Sequence, residues 1–189
     1  MYDIAVIGSG PAGASAALFS AKAGKKTLLI DNNKGMTRRA LLKNFYGIME
    51  INGPDVVDLG EKQATTLGAE LVRDKAIDIQ KNGEAFQIKT ESGQYEARYV
   101  ILATGAITDL AEKIGVQTKP ATEPRIKTIL VVDMNGKTNI DGIWAAGTCA
   151  GASVHAIITA GDGAKVAINI ISEINGERYV DHDVLKPTT

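Results

Sequence analysis

Cysteine is nearly absent. Cys149 stands alone in 189 residues, which excludes an intramolecular disulfide and any Cys-x-x-Cys redox pair. Long apolar runs are missing too: no stretch approaches the ~18 residues that a membrane span needs, so no membrane role is expected. Neither sign of charge dominates, because 21 Lys and Arg against 22 Asp and Glu leave a net charge of −1. That balance gives no electrostatic basis for nucleic-acid binding. No internal repeat or low-complexity segment interrupts the chain. The first apolar run begins at Tyr2, which leaves no room for a signal peptide, and the expected location is cytoplasmic. What remains is a 44% hydrophobic chain of a length suited to a single domain over residues 1–189.

Glycine is plentiful, and its placement is informative. Ile4-Ala5-Val6-Ile7 reads as a buried parallel strand, Gly8-Ser9-Gly10-Pro11-Ala12-Gly13 follows it, and Pro11 to Ala23 is Ala-rich and helical in character. Strand, glycine turn and helix are in the order of a dinucleotide-binding unit. Gly8 permits the tight turn, Gly10 lets the backbone approach a pyrophosphate, and Gly13 lets the helix pack on the strand. The phosphates would sit on the positive end of the helix, where Pro11 costs nothing. The next strand, Thr27 to Ile30, ends at Asp31, 23 positions after Gly8. This is close to the offset of about 20 expected for an acid that grips a ribose hydroxyl, and it argues against a 2′-phosphate.

Beyond Asp31 lies a polar loop from Asn32 to Arg39 on the ligand side of the sheet, whose Arg38 and Arg39 face either a phosphate or solvent. Asn44-Phe45-Tyr46-Gly47 leads to Gly53-Pro54-Asp55. There a scaffold helix starts, with Val56, Val57, Leu59, Ala64 and Leu67 on its apolar side. Glu70-Leu71-Val72 is expected as a short parallel strand. From Ala76 the period changes to two: Phe86, Ile88 and Thr90 alternate with Gln87 and Lys89, and Asn82-Gly83 and Ser92-Gly93 mark hairpin turns. This predicts an antiparallel β-meander, followed by a second apolar strand, Tyr99 to Ala103, that stops at Thr104-Gly105. Leu110 to Val116 is expected as a short helix, Thr118 to Pro124 as a loop, and Ile129 to Val132 as a strand before the Asn135-Gly136 turn. Near the end, Trp144-Ala145-Ala146-Gly147-Thr148-Cys149-Ala150-Gly151 precedes a helix over Val154 to Ile174. Trp144 reads as core and His182 as surface.

The ordered set Gly8 to Gly13, Asp31, Asn44-Phe45-x-Gly47, Gly53-Pro54, Ala103-Thr104-Gly105-Ala106, Ala145-Ala146-Gly147 and Ile157 to Gly163 resembles the FAD domain of the low-molecular-weight thioredoxin reductase family. It covers nearly the whole chain. The fold this implies is α/β, an FAD-binding Rossmann-like domain of three ββα layers with a central parallel sheet. An antiparallel meander is inserted at about 76–98. The implied cofactor is FAD, with its pyrophosphate on Gly8, Ser9, Gly10, Pro11, Ala12 and Gly13, its adenosine ribose on Asp31 and its ribitol near Gly147 and Thr148, and with Asn32, Arg38, Arg39 and Ala76 as further expected cofactor contacts. The flavin would lie by His155, Ala156 and Ile157, with Asn44, Ala103, Thr104 and Gly105 as further expected contacts of the cofactor. A helix N-terminus at Ala156 would favour negative charge on the ring by about 1 kcal/mol.

Two departures from the family stand out. Its members carry an NADPH domain with a Cys-x-x-Cys pair between the Ala-Thr-Gly strand and the closing segment. Here that interval is only Ile107 to Lys137, with a connector at about 107–125. Thr148 stands where the family usually has a ribitol-binding aspartate. Cys149 reads as a small buried hydrophobe, with a mixed disulfide to a partner as the alternative. His155 replaces a common glutamine and either tunes a proton near the flavin or caps the helix. No side chain reads as a catalytic acid, base or nucleophile, and no metal site is expected. The resemblance implies an FAD-dependent oxidoreductase reduced by free NAD(P)H or by a protein electron donor, and a homodimer. The alternative is a flavin-binding module without turnover of its own. NAD alone at the first turn leaves the closing Ala-Ala-Gly segment unexplained.

Overall fold

The chain alternates strand and helix in a computed structural model that describes residues 1–185. The last four positions of the expected surface tail, 186 to 189, lie outside the described residues. In order come β1 (Tyr2–Ile7), α1 (Pro11–Lys22), β2 (Thr27–Asp31), a 3₁₀ turn (Met36–Arg39), and the two-residue strands β3 (Leu41–Leu42) and β4 (Ile51–Asn52). Next are α2 (Gly53–Thr66), β5 (Glu70–Arg73), β6 (Ala76–Asn82), β7 (Ala85–Thr90) and β8 (Gln94–Leu102). The chain continues through α3 (Asp109–Lys113), β9 (Thr118–Pro120), β10 (Thr128–Leu130), β11 (Ile143–Ala145) and α4 (Ala156–Asn175).

Seven strands form one mixed sheet in the order β5-β2-β1-β8-β7-β6, with β11 beside β8, and β3–β4 and β9–β10 form separate two-stranded ladders. β5, β2, β1, β8 and β11 run parallel, and β8, β7 and β6 run antiparallel. The reason lies in the side chains. β1 carries the continuous apolar run Ile4 to Ile7 and β2 the run Leu28 to Ile30, so both faces of the parallel half must be covered. On one face Ile4, Val6, Leu29 and Ile101 pack with Ala16 and Ala17 of α1 and Val166, Ala167, Ile170 and Ile171 of α4. On the other, Ala5, Ile7, Leu28, Ile30, Val100 and Leu102 meet Phe86, Ile88 and Ala97 of the meander. Helices, parallel sheet and meander are thus the three expected layers. Each large side chain buried between them contributes about 1.5–3 kcal/mol.

Three expectations change. The third meander strand and the Tyr99–Ala103 strand are one continuous strand, β8, in which Ala97 pairs with both Tyr2 of β1 and Phe86 of β7. Thr118 to Pro120 is a strand paired with β10 rather than a loop. Pro120, which has no amide to donate, sits at the end of that ladder, where the sheet tolerates it. On α2 the buried positions are Gly53, Val57, Glu61 and Ala64, while Leu59 and Leu67 are exposed. That side of the helix lies against α1 and the 3₁₀ turn, with Gly60 close to the Ala14 Cβ and Gly53 against the Thr37 carbonyl. Small residues fit there and wide leucines do not. Among the described residues no helix is long and apolar enough to cross a membrane.

Candidate dinucleotide site

The site begins at the carboxyl end of β1. Gly8 adopts φ +103°, and its amide donates to the Ile30 carbonyl at 2.8 Å. A Cβ on Gly13 would lie 1.7 Å from the Gly8 carbonyl oxygen, so only glycine lets α1 sit this close to the turn. Gly10 is different, because a Cβ there would meet nothing within 4 Å. Its flank is open. The first helical bond runs from the Ala14 amide to the Gly10 carbonyl at 2.9 Å, so the amides of Ala12 and Gly13 precede it and have no intrahelical acceptor. Pro11 occupies the first turn as expected.

The carboxylate of Asp31 closes one side. Its Oδ1 accepts the Ser9 amide at 2.9 Å, and its Oδ2 accepts the Asn33 amide at 2.6 Å and Arg73 Nη1 at 3.3 Å. A carboxylate has about four acceptor positions, so Oδ1 keeps capacity for a ligand hydroxyl. The Ser9 amide, however, is held by the protein rather than offered to a phosphate. Behind Asp31 lies a carboxylate that hydrophobic periodicity did not reveal. Glu61 of α2 is only 4% exposed. It accepts the Ser9 hydroxyl and both guanidinium nitrogens of Arg73, one of them at 2.7 Å, and Arg38 Nη2 lies 3.5 Å away. Arg38 also donates to Asp58 at 2.8 Å. The signal in the sequence was a glutamate in the stripe Gly53, Val57, Glu61, Ala64, which shares one helical face.

The other side is built by the ends of β8 and β11 and the start of α4. The Ala103 amide donates to the Ile7 carbonyl at 2.9 Å, and the Ala146 amide to the Leu102 carbonyl at 3.0 Å. The Thr104 hydroxyl donates to the Ile107 carbonyl at 2.5 Å, and Gly105 has φ +68°. The Gly147 amide donates to Asp162 Oδ2 on α4 at 2.7 Å, and Asp162 in turn pairs with Lys165. Asp162 lies in the Ile157 to Gly163 segment of the family resemblance, and its hydrogen bond to the Gly147 amide was not legible in the sequence. Gly163 packs directly on the Ala12 backbone, drawing α4 onto the start of α1. Thr148 is buried, Ala156 is buried in the first turn of α4, and Ile157 is exposed. His155 precedes that helix, is exposed, and shares a 2.8 Å hydrogen bond between its Nδ1 and the Ser153 hydroxyl, without capping the helix through its side chain.

The β1–α1 turn, Asp31, Ala103 to Gly105, and Gly147-Thr148 with the α4 start therefore converge at the carboxyl edge of the parallel strands, where open α/β sheets bind ligands. Asn32, Arg39 and Asn44 are exposed on the loops beyond that edge, and Ala76 is buried at the start of β6. His182 is exposed and Trp144 is core, as expected. Cys149 is fully buried, with its sulfur 3.2 Å from the Leu102 carbonyl and 3.3 Å from that of Ala146. Burial pushes its thiol pKa up, so it packs as a small protonated hydrophobe.

A family model described as pyridine nucleotide-disulphide oxidoreductase matches residues 2–126 and 47–169. The chain belongs to the pyridine nucleotide-disulphide oxidoreductase family. Within it, the chain is 42% identical over 121 residues to a thioredoxin reductase of Peptoclostridium acidaminophilum, a match covering 62% of this chain and 38% of that protein. The thioredoxin reductase of Aquifex aeolicus is 33% identical over 114 residues, covering 57% and 35%. The chain thus spans well under half the length of these curated relatives. Among solved structures, a thioredoxin reductase from Gloeobacter violaceus superposes with a TM-score of 0.87 at 17% identity, over 97% of this chain and 99% of that one. A ferredoxin-flavin thioredoxin reductase from Clostridium acetobutylicum gives 0.74 at 21%, over 93% and 98%. At these identities the likeness speaks for the oxidoreductase fold alone.

Proposed function

We propose that this chain binds FAD and acts as a thioredoxin reductase-like flavoprotein oxidoreductase, reduced by free NAD(P)H or by a partner protein. The observation that carries this reading is the contrast within one motif: Gly8 and Gly13 are jammed against protein, while Gly10 faces open space beside unsatisfied helix-end amides. A cradle of this kind suits an anionic pyrophosphate. Gly10, Ala12 and Gly13 would hold the phosphates, Asp31 the ribose, and Gly147 and Thr148 the ribitol. The start of α4 would face the flavin with His155 at its rim. When bound, FAD supplies the hydride and electron transfer. The protein contributes placement, a dry floor made by Ala103 and Ala146, and the electrostatic field of two helix ends.

The partner-dependent reading draws on a specific observation. Between β8 and β11 the chain builds only α3 and the β9–β10 ladder, and the one thiol is sealed in the core. Neither provides a nicotinamide site or a dithiol. A cytoplasmic homodimer accompanies this reading, and sedimentation velocity tests its stoichiometry. Anaerobic titration with NADH and NADPH separates the alternatives. Prompt loss of the flavin band makes the protein self-sufficient. A band that dithionite bleaches but neither nucleotide does assigns reduction to a partner, and a purified protein that binds no flavin overturns both.

Thr148 offers a smaller test. A neutral hydroxyl gives a weaker hydrogen bond than a carboxylate by about 1 kcal/mol. Thr148→Asp should therefore tighten FAD about fivefold, read by fluorescence quenching. An unchanged or weaker dissociation constant rejects the ribitol contact.

A further inference from the structure

The ribose end of the pocket holds more charge than a ribose needs. Arg73 and Arg38 reach it from β5 and the 3₁₀ turn, and paired guanidiniums are the groups that usually recruit a phosphate. Here both are already engaged. Arg73 gives both terminal nitrogens to Glu61 and one to Asp31, and Arg38 is shared between Asp58 and Glu61. Three carboxylates face two guanidiniums, which leaves the cluster net negative. Glu61 is the only one of the three that bonds both arginines, and it is buried, so neither water nor salt screens its charge effectively. The Ser9 hydroxyl ties it to the glycine turn itself.

We propose that Glu61 is a specificity-determining residue: by neutralising Arg73 and Arg38 beside Asp31, it makes the pocket accept an adenosine with a free 2′-hydroxyl and reject one carrying a 2′-phosphate. The inference rests on the dinucleotide reading of the turn. A 2′-phosphate brings between one and two further negative charges at pH 7. Next to Asp31 it would have to pull an arginine away from a buried carboxylate, which then stands unpaired. Glu61 is buried and bonded to Ser9, Arg73 and Arg38, so it acts through the arginines, whereas Asp31 Oδ1 keeps acceptor capacity for a ribose hydroxyl.

The test is isothermal titration of the full chain, freed of bound nucleotide, with ADP-ribose and with its 2′-phosphorylated form. The native protein should prefer the unphosphorylated ligand by at least about tenfold. Glu61→Gln should cut that preference to about threefold or less, through tighter binding of the phosphorylated form. Asp58→Asn removes a carboxylate whose side chain is 63% exposed, so folding is not at stake, and it should lower the preference about twofold by releasing Arg38. A folded Glu61→Gln protein with an unchanged preference overturns the inference; if that variant does not fold, an unchanged preference in Asp58→Asn does so. Equal native affinities for the two ligands, with FAD still bound, overturn the inference alone. A native protein that binds neither FAD nor ADP-ribose overturns the pocket reading together with it.

Discussion

Gly10→Ala should cost the protein its cofactor while leaving the fold intact. The backbone at Gly10 has φ −58° and ψ 176°, an extended conformation open to any residue, and apart from its neighbours Ser9 and Pro11 no residue lies within 4 Å of the added methyl group. The only expense to folding is alanine in place of glycine ahead of α1, so the melting temperature of the apoprotein should fall by no more than about 3 °C. The methyl group instead occupies the space through which a pyrophosphate must reach the Ala12 and Gly13 amides. Losing two hydrogen bonds to the charged phosphates, each worth about 1.5 kcal/mol, should weaken FAD about a hundredfold. Flavin fluorescence titration and thermal circular dichroism read the two quantities separately. Unaltered FAD affinity would move the phosphate site away from this turn.

Gly13→Ala, three residues along, should instead destabilise the fold itself. Its methyl group would lie 1.7 Å from the Gly8 carbonyl oxygen and 3.2 Å from the Ala103 Cβ, and both neighbours belong to the turn and the sheet. Neither is the movable tip of a side chain, so α1 must shift off β1 and loosen its contact with α4. Overpacking of this kind costs about 3 kcal/mol, and for a chain of this size the melting temperature should drop by about 6–12 °C. A melting temperature unchanged from the native protein would contradict this packing of α1 on β1.

The same motif shows what was legible in the sequence and what was not. β1, β2 and α1 announced themselves because their buried residues form local patterns: continuous apolar runs, then a glycine turn, then alanines at helical spacing. The meander was legible through the alternation of Phe86, Ile88 and Thr90. The unbroken course of β8 was not, because half-buried Glu96 and exposed Arg98 interrupt its apolar character. Glu61 escaped for a related reason. Hydrophobic periodicity assigns a carboxylate to solvent, yet this one is stabilised by Arg73, Arg38 and Ser9, partners that lie 12, 23 and 52 positions away. Thr118 to Pro120 pairs only because β10 returns beside it, which no local pattern encodes. The candidate contacts at Asp31, Gly147 and Thr148 were readable as residues. The hydrogen bonds that position them, from the Ser9 amide to Asp31 and from the Gly147 amide to Asp162, depend on the folded chain.

β8 is the rod that joins the two halves of the molecule. Its first residues belong to the meander, its last to the parallel sheet, and Ala97 is bonded into both at once. The meander therefore cannot melt as an independent unit without unzipping the strand at the centre of the sheet, nor can the sheet open while the meander persists. The chain should lose its structure in one all-or-none heat-absorption peak, with equal calorimetric and van't Hoff enthalpies. Its last amides to exchange with deuterated water should be those of Tyr99 to Leu102.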